Sequence, residues 1–327
     1  MSALLEVKNL CVDYITDQGS VRAANNVSFS IQPGEVFGLA GESGCGKSTV
    51  AFAVPRLHNP PALISSGEIL FEGENILHFN QQQLQAYRWA KVSMVFQSAM
   101  NSLNPVLRVE KQFADMLMAH GYESMKACRA RTGELLDMVG IHPSRMRDYP
   151  HQFSGGMRQR IVIAIALALR PKLMIMDEPT TALDVVVQRE ILQQINDLQR
   201  ELGFSVLFIT HDLSLMAEFA DRLGVMYAGQ LVEVRPSQEL LRQPIHPYSH
   251  GLTQSFPSIR GPIQKLTGIP GNPLDLTKVP DGCRFAERCF KATDLCREQE
   301  PQLIPHATGH VACHHPISIA QQEMSHE

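Results

Sequence analysis

Short, almost wholly apolar runs recur along the chain, and longer segments with apolar residues on one or more helical faces separate them. The short runs are EVFGLA, KVSMVF, LMIM and SVLFI. Such runs, bounded by polar residues or glycine, are typical of strands buried on both faces of a parallel sheet. The longer segments, which predict helices, are KQFADMLMAH, ACRARTGELLDMVG, MRQRIVIAIALALR and QREILQQINDLQREL. This alternation predicts an α/β fold with a parallel sheet core wrapped by helices.

The pattern changes near Arg235, where proline, histidine and glycine become frequent. PIHPY, FPSIRGP and GIPGNP follow in close succession, and such clusters predict a boundary followed by a loop-rich tail. No apolar run reaches the roughly 18 to 20 residues that cross a bilayer. The opening residues, MSALLEVKNL, lack a basic-then-apolar leader. We therefore expect a chain that is neither inserted into a membrane nor exported.

Composition and charge narrow the possible functions. With 327 residues, 44% of them hydrophobic and 19% charged, the chain can bury at least one large core, and its length favours two domains. A net charge of -4 and a pI near 6.4 lack the basic balance of nucleic-acid binders. Seven cysteines in a chain that is not exported are expected to be reduced. A cluster of them therefore indicates a metal site or reactive thiols before disulfides.

A glycine-rich segment, GESGCGKST at residues 41–49, follows the strand VFGLA and leads into a helix predicted to end before Pro55. Strand, loop and helix in this order are the context of a phosphate-binding loop. Its backbone N–H groups turn toward phosphate oxygens, and the helix N-terminus adds partial positive charge. Lys47 is then expected to reach the β- and γ-phosphates of a nucleotide, and Ser48 to bind Mg²⁺. The structural alternative is an ordinary glycine-rich turn.

Two acidic residues stand at the end of another predicted strand. In LMIMDEPTTALD, Asp177 and Glu178 directly follow residues 173–176. Asp177 is suited to hold Mg²⁺ together with Ser48, and Glu178 to accept the proton of an attacking water or to orient that water. The two acids could instead cap a helix after Pro179, but capping would not account for the apolar strand before them.

Gln97 and His211 also follow predicted strands, KVSMVF and SVLFIT. Ligands of open α/β sheets bind outside the carboxyl ends of the strands, so these two side chains, Gly41 and the two acids are expected to converge there. Taken alone, Gln97 is more commonly a loop residue, and His211 a capping or core-edge residue. Their shared position favours a role in sensing the γ-phosphate.

The segment FSGGMRQR, residues 153–160, precedes a helix that is apolar on nearly every face. Ser154, Gly155 and Gly156 at the N-terminus of such a helix form a second candidate anion site. The alternative is that Ser154 is only an N-cap and that the glycines are only a turn.

Together these segments resemble the nucleotide-binding subunit of ATP-binding-cassette (ABC) transporters, over roughly residues 4 to 235. The matching parts are GESGCGKST as Walker A, Gln97 as the Q-loop, FSGGM as the family signature, LMIMDE as Walker B, Asp184 as the end of the D-loop and His211 as the switch histidine. Tyr14 matches the aromatic residue that stacks on adenine, with a buried strand tyrosine as the alternative.

The resemblance implies a role for each of these residues. Those in catalysis are Lys47, Gln97, Glu178 and His211. The implied Mg²⁺ ligands are Ser48, Gln97 and Asp177. The implied nucleotide contacts are Tyr14, Gly41, Ser43, Gly44, Gly46, Lys47, Ser48, Thr49, Gln97, Ser154, Gly155, Gly156, Asp177 and Asp184.

The resemblance also implies a fold and an assembly. The fold is a P-loop NTPase cassette of the α/β class. Its ATP-binding domain covers residues 4–258, its helical subdomain about 98–165 meets the membrane subunits, and a small loop-rich extension covers 259–327. Two cassettes bind head to tail, with ATP between Walker A of one and the signature of the other.

Phe153 and Met157 replace Leu and Gln of the common LSGGQ. Because Met157 cannot reproduce the hydrogen bonds of glutamine, we expect a changed ATP affinity.

The tail resembles that of the oligopeptide, dipeptide and nickel importers in its IHPY, GIPGNP and DGC segments. This branch implies the ATPase of a bacterial peptide importer, peripheral on the cytoplasmic face of the inner membrane. Its implied partners are two transmembrane permease subunits, a second ABC ATPase, identical or different, and indirectly a periplasmic solute-binding protein; nucleic acid is not among them. Nickel, a metallophore or another small solute is the alternative cargo, and an ABC ATPase outside transport is the rival class.

Four cysteines in the tail, Cys283, Cys289, Cys296 and Cys313, have the spacing C-x5-C-x6-C-x16-C. They lack the tight pair usual in zinc ribbons, and four thiolates in a core-poor segment suit a 4Fe-4S cluster. Members of this branch carry such a cluster, so the resemblance implies that the extension binds metal through these four residues. Zinc at the same thiolates and plain reduced cysteines are the alternatives.

Cys45 stands apart from the tail because it lies inside the phosphate-binding segment, two residues before Lys47. A helix N-terminus and a nearby ammonium group both stabilise a thiolate, so we expect a lowered pKa. Alkylation of Cys45 is then expected to block ATP binding.

Overall fold

The computed structural model describes residues 2–17, 19–97, 102–180, 184–255 and 268–318. The chain divides into two compact units. The first comprises Met1–Ile31, Val36–Leu77 and Ile209–Glu327, and the second Gln32–Glu35 and His78–Phe208. Within the described ranges, no helix is both long enough and apolar enough to cross a membrane.

The described strands and helices follow the alternation predicted above. The strands are β1 (Leu5–Thr16), β2 (Gly19–Ile31), β3 (Val36–Ala40), β4 (Ala62–Phe71), β5 (Glu74–Asn75), β6 (Val92–Val95), β7 (Leu173–Asp177), β8 (Ser205–Ile209), β9 (Arg222–Tyr227), β10 (Gln230–Pro236), β11 (Ile304–His306) and β12 (Gly309–Val311). The helices are α1 (Lys47–Ala53), α2 (Gln81–Tyr87), α3 (Val109–Ala119), α4 (Met125–Met138), α5 (Gly155–Ala166), α6 (Val185–Leu202), α7 (Leu213–Phe219), α8 (Ser237–Arg242), α9 (Pro247–Gln254) and α10 (Asp294–Glu298). Short 3-10 helices lie at Ile76–His78, Pro143–Arg147, Pro150–Gln152 and Ala286–Arg288.

The first unit contains an antiparallel sheet and a mixed set of strands. The antiparallel sheet has the order β2-β1-β4-β5, and the mixed set the order β11-β12-β10-β9-β3. All five residues of β3 are buried, and β3 pairs with β9 in parallel. The largest fully buried side chains of this unit include Leu5, Leu10, Ile31, Phe37, Leu39 and Ile69.

The second unit carries the strand order β8-β7-β6, with β6 and β7 paired in parallel. Every residue of β7 is buried, as its apolar sequence requires. Helix α6 begins at the cap Asp184, whose side chain accepts a hydrogen bond from Val187 N, and it ends at Gly203 in the left-handed conformation. Fully buried side chains on α3 and α4 include Phe113, Leu117, Leu135 and Leu136.

The predicted strands and helices are confirmed, whereas the purely parallel sheet is confirmed only in part. β9 and β10 are joined by Ala228 and Gly229, which have φ angles of 45° and 86°. A two-residue turn with positive φ at both positions connects only antiparallel strands. The sheet is therefore mixed, because a hairpin follows β9 where a helical crossover would be needed for a parallel neighbour.

The tail is less loop-rich than its composition suggests. Short helices α8, α9 and α10 lie after β10, and β12 pairs with β10 in antiparallel register, Glu233 opposite Val311. The predicted boundary after residue 258 lies outside the described residues, as does the predicted start of the helical subdomain at about 98.

Candidate functional site

The glycine-rich segment forms a tight loop between β3 and α1. Gly46 caps α1 with φ 102°, and Gly41 has φ 150°. A Cβ atom at Gly41 would lie 2.2 Å from Met226 O, and one at Gly46 would lie 2.2 Å from Ala23 O. Both positions therefore require glycine, since the loop passes directly against neighbouring backbone.

Lys47 is buried inside this loop, with 5% of its surface exposed. Its Nζ donates to Gly41 O at 2.8 Å and to Glu42 O at 2.9 Å, and it lies 3.6 Å from Cys45 Sγ. The loop's own carbonyls thus hold the ammonium group at its centre. A phosphate oxygen there would receive a charge-assisted hydrogen bond.

Ser48 and Thr49 follow in the first turn of α1, Ser48 exposed and Thr49 buried. Thr49 Oγ1 lies 3.4 Å from Tyr14 Oη, and Thr49 O lies 2.9 Å from His58 Nε2. The half-buried Tyr14 on β1 therefore lies beside the start of the helix that follows the loop. Its stacking on adenine stays a prediction.

Asp177 is the last residue of β7 in the second unit and Glu178 follows it, so both acids lie at the end of the predicted strand. Asp177 is 2% exposed, whereas Glu178 has φ 46°, a left-handed conformation that costs energy for any residue with a Cβ. Gln97 Nε2 donates to Glu178 Oε2 at 2.9 Å. The structure thus brings together two of the predicted catalytic residues, which are far apart in the sequence.

The predicted signature residues form the start of α5. Ser154 is its N-cap and accepts a hydrogen bond from Met157 N at 3.3 Å. A Cβ at Gly156 would lie 2.7 Å from Val187 Cγ1. Ser154 is therefore an N-cap, the two glycines belong to the helix, and Gly156 has a packing reason to be small. Neither observation tests the predicted anion site.

His211 lies two residues after the end of β8, with an exposed side chain. Thr210 Oγ1 accepts a hydrogen bond from Asp212 N at 3.1 Å and fixes the turn around it. The strand-end position of His211 is confirmed, and its role stays a prediction.

The expected pKa of Cys45 is wrong in direction. The thiol is 4% exposed, and burial raises its pKa, although the neighbouring Lys47 opposes this shift. Lys47 Nζ also donates to the Cys45 sulfur, at 3.6 Å, but loss of solvent around the buried thiolate has the larger effect. The Cys45 thiol is therefore expected to be alkylated slowly, because less of it is present as thiolate.

The four tail cysteines lie near one another in the first unit, with Cys283 N donating to Cys296 O at 2.7 Å. Burial raises the pKa of Cys313 to about 12, and the Cys283, Cys289 and Cys296 thiols add to this rise. Burial likewise raises the pKa of Cys283 to about 11. In the described part of the chain, no three His, Cys, Asp or Glu side chains are arranged to hold a metal ion.

Sequence reasoning missed two residues that contact the phosphate loop. Arg288 binds the Glu42 carboxylate through two hydrogen bonds, of 2.7 Å and 2.9 Å. Tyr248 Oη accepts a hydrogen bond from Glu42 N at 2.9 Å. No local pattern indicates either contact, because both partners lie more than 200 positions away along the chain.

Three family models match this chain. The first, described as ABC transporter, matches residues 24–181, and the second, described as Oligopeptide/dipeptide transporter, C-terminal region, matches residues 232–296. The third, described as AAA domain, putative AbiEii toxin, Type IV TA system, matches residues 148–217 and so lies mostly within the range of the first. The first range includes the glycine-rich loop, Gln97, the start of α5 and the two acids that end β7. The second reaches from β10 to Cys296.

Curated relatives match nearly the whole chain. The oligopeptide transport ATP-binding protein OppD of Bacillus subtilis (strain 168) is 45% identical over 314 residues, 95% of this chain and 88% of that protein. The dipeptide transport ATP-binding protein DppD of Lactococcus lactis subsp. cremoris (strain MG1363) is 43% identical over 312 residues, 94% of this chain and 89% of that protein.

A solved structure shares the fold. The dimeric post-hydrolysis state of the ATP-binding cassette MJ0796, bound to ADP and Pi, matches with a TM-score of 0.63 and 28% identity, covering 72% of this chain and 99% of that chain. The sequence relatives and this structure agree with the cassette fold built above. This chain therefore belongs to the ABC transporter ATP-binding proteins that carry the oligopeptide/dipeptide transporter C-terminal region, and it is an ATPase of that family.

Proposed function

We propose that this chain is the ATP-hydrolysing subunit that powers a bacterial ABC importer for dipeptides and oligopeptides across the inner membrane. The observation that carries the proposal is the combination, in one chain, of the loop around Lys47 with the C-terminal region matched at residues 232–296. The loop supports use of ATP, and the C-terminal region supports the choice of peptides as cargo.

ATP phosphates are assigned to the loop between β3 and α1. Lys47 donates to the β- and γ-phosphates, and the backbone of Ser43, Gly44 and Gly46 surrounds them. Thr49 and Gly41 complete the loop, and Tyr14 stacks on adenine. This assignment is supported by the burial of Lys47 and by the left-handed conformations of Gly44 and Gly46.

Ser48, Gln97 and Asp177 are the proposed ligands of Mg²⁺. Their hydroxyl, amide and carboxylate oxygens are the donors that this hard cation prefers. When bound, Mg²⁺ neutralises charge on the phosphates.

Glu178 is the proposed base for hydrolysis. Its carboxylate accepts the proton of the attacking water, while the 2.9 Å hydrogen bond from Gln97 orients it. A left-handed backbone at Glu178 supports a functional role, because such strain persists where the surroundings over-determine the conformation. His211 contacts the γ-phosphate and reports its presence.

The second anion site acts on the ATP of a partner cassette. Ser154, Gly155 and Gly156 present the N-terminus of α5, and Asp184 lies at the N-terminus of α6. Free N–H groups and the helix dipole at such a terminus favour phosphate. The partner cassette is a second copy of this chain or a related ATPase.

In the proposed transporter the chain lies at the cytoplasmic face of the inner membrane, on two permease subunits, with a periplasmic solute-binding protein acting indirectly. The segment at about 98–165 is the proposed permease contact within an ATP-binding region of residues 4–258.

The extension, 259–327, carries a 4Fe-4S cluster at Cys283, Cys289, Cys296 and Cys313, with zinc as the alternative. The proposal rests on the resemblance of the tail and on four thiols whose charges interact, although no three of them are arranged to hold a metal ion in the described residues.

Uptake assays test this function. In cells lacking the native gene, the wild-type chain should restore uptake of a labelled dipeptide. Glu178→Gln should bind ATP but not restore uptake, and Lys47→Ala should lose ATP binding as well. The exposed Glu74→Gln, outside the proposed permease contact, is the matched control and should behave as wild type. Dipeptide uptake that persists in both variants would contradict the proposal, and loss of nickel uptake alone would favour nickel as cargo.

A further inference from the structure

Glu42, the second residue of the phosphate loop, is held at both its side chain and its backbone. The Arg288 guanidinium donates to both carboxylate oxygens, at 2.7 Å and 2.9 Å. Glu42 N donates to Tyr248 Oη at 2.9 Å, and Glu42 O accepts from Lys47 Nζ, also at 2.9 Å. One loop residue therefore joins the phosphate-binding lysine to two side chains from the C-terminal part of the chain.

Arg288 is itself fixed before it reaches Glu42. Its side chain is 6% exposed, and its Nε donates to Pro270 O at 2.8 Å. The guanidinium lies 5.7 Å from the ring centre of Tyr227 and 5.9 Å from that of Phe285. Because neighbouring groups already order this side chain, little rotamer entropy is lost when it binds the carboxylate.

Tyr248 is equally restrained. It is fully buried, and its ring centre lies 5.3 Å from that of Phe285 and 4.7 Å from that of Tyr227. Phe285 therefore contacts both side chains that hold Glu42. This aromatic group fixes the Tyr248 hydroxyl and the Arg288 guanidinium relative to each other.

The Arg288–Glu42 pair differs from the surface pairs of the same tail. Arg297 and Asp294 form a single contact at 3.0 Å, with 63% and 93% of their side chains exposed. Exposed single contacts of this kind contribute little. A bidentate pair such as Arg288–Glu42, with 6% and 23% of the two side chains exposed, restrains both partners more strongly.

We infer that Arg288 and Tyr248 are positioning residues of the ATP site: through Glu42 they fix the backbone carbonyls that place the Lys47 ammonium group for phosphate. The inference rests on the proposed binding of ATP by this loop. It makes the C-terminal extension part of the machinery for nucleotide binding, in addition to its proposed place in the transporter. Because Arg288 directly precedes Cys289, one side chain links the cysteine segment to the loop.

Binding and turnover of ATP by the full-length protein test this inference. Arg288→Gln removes the positive charge and the paired guanidinium donors but keeps most of the side-chain volume. It should raise the Kd for ATP roughly tenfold, a usual size for coupling between sites. The KM for ATP should rise more than kcat falls. Arg288→Lys should recover part of the affinity, because an ammonium group still pairs with Glu42. Arg297→Gln is the matched control and should bind ATP as wild type does.

A double-mutant cycle assigns the effect to the Glu42 contact. Glu42→Gln should weaken ATP binding, and adding Arg288→Gln to it should cause little further loss. Thermal melting reports whether each variant is folded; if Arg288→Gln is not, Glu42→Gln alone decides. Wild-type affinity in Arg288→Gln, equal losses in Arg297→Gln, or additive effects in the cycle would overturn the inference. Failure of the wild-type chain to bind ATP would instead overturn the proposed function.

Discussion

Single residues of the phosphate loop differ in why they must be glycine. Gly44 and Gly46 both have left-handed backbones, with φ angles of 78° and 102°. A Cβ at Gly44 would meet nothing within 4 Å, whereas one at Gly46 would lie 2.2 Å from Ala23 O. A side chain at Gly44 would therefore cause only backbone strain, whereas one at Gly46 would also collide with neighbouring backbone, although the two glycines look equivalent in the sequence motif.

Alanine substitutions at these two glycines should therefore differ in cost. Gly44→Ala carries only the left-handed penalty and should lower the free energy of unfolding by about 1 kcal/mol. Gly46→Ala adds a backbone collision and should lower it by roughly 3 kcal/mol or more. Urea denaturation without nucleotide measures both values. Equal losses would show that the approach of Gly46 to Ala23 does not constrain the loop.

At the scale of elements, sequence patterns predicted the strands buried on both faces and missed the irregular ones. β3, β7 and β8 are apolar except for Asp177 and Ser205 at strand ends, and every residue in them is buried, so their signal is unambiguous. β1 pairs with β2 and β4 through several register shifts, between Val7 and Leu10 among others. Each shift breaks the two-residue alternation by which a half-exposed strand is found.

The candidate site divides in the same way. Its glycine-rich loop, its acids and the Ser154 segment are local motifs and could be predicted from neighbouring residues. The contact of Arg288 with Glu42 joins residues 246 positions apart, and no short pattern encodes such a pairing. The buried state of Cys45 was missed for a related reason, because burial depends on what packs over the loop.

Helix α9 begins at an unusual cap. His246 is 1% exposed, and its Nδ1 accepts a hydrogen bond from Tyr248 N at 3.0 Å. The buried Glu233 accepts from Ile245 N and His246 N, so the first backbone donors are satisfied. Burial lowers the pKa of His246 from 6.5 to about 3, although a backbone hydrogen bond with Ala312 opposes this shift.

This cap predicts a loss of stability in acid. Below pH 6.5 the unfolded chain protonates His246, while the folded chain does not until about pH 3, so stability falls as pH decreases through this range. His246→Asn keeps a good N-cap acceptor without a titrating group. Between about pH 7 and 4.5 it should lose roughly 2–3 kcal/mol less unfolding free energy than wild type.

Urea denaturation at both pH values measures this difference. The exposed His310→Asn is the control and should retain the acid sensitivity of wild type. Parallel pH profiles for wild type and His246→Asn would contradict the assignment of acid sensitivity to the α9 cap.

At the scale of the whole molecule, the cysteine-bearing extension is joined to the rest of the first unit by several contacts. β12 adds to β10, Phe285 packs against Tyr227 and Tyr248, and the Glu300 carboxylate accepts from Asn25 and Gln230. Burial and mutual repulsion raise the pKa of the Cys283 and Cys313 thiols. A metal cation reverses that balance, because it binds thiolates and releases their protons.

Metal bound at the four cysteines should therefore stabilise the first unit as well as colour the protein. Protein purified without oxygen should be brown with a broad visible absorbance, as expected of a 4Fe-4S cluster. Cys289→Ser should remove the colour and lower the melting temperature, because the metal no longer holds the segment that carries Phe285 and Arg288 at residue 289. Cys11→Ser is the control: Cys11 lies outside the extension, and a serine hydroxyl can keep its hydrogen bond to Asn26. A colourless protein that contains zinc would favour zinc as the bound metal. A protein that contains no metal would contradict this prediction, because the contacts of Phe285 and Arg288 would then hold the extension without it.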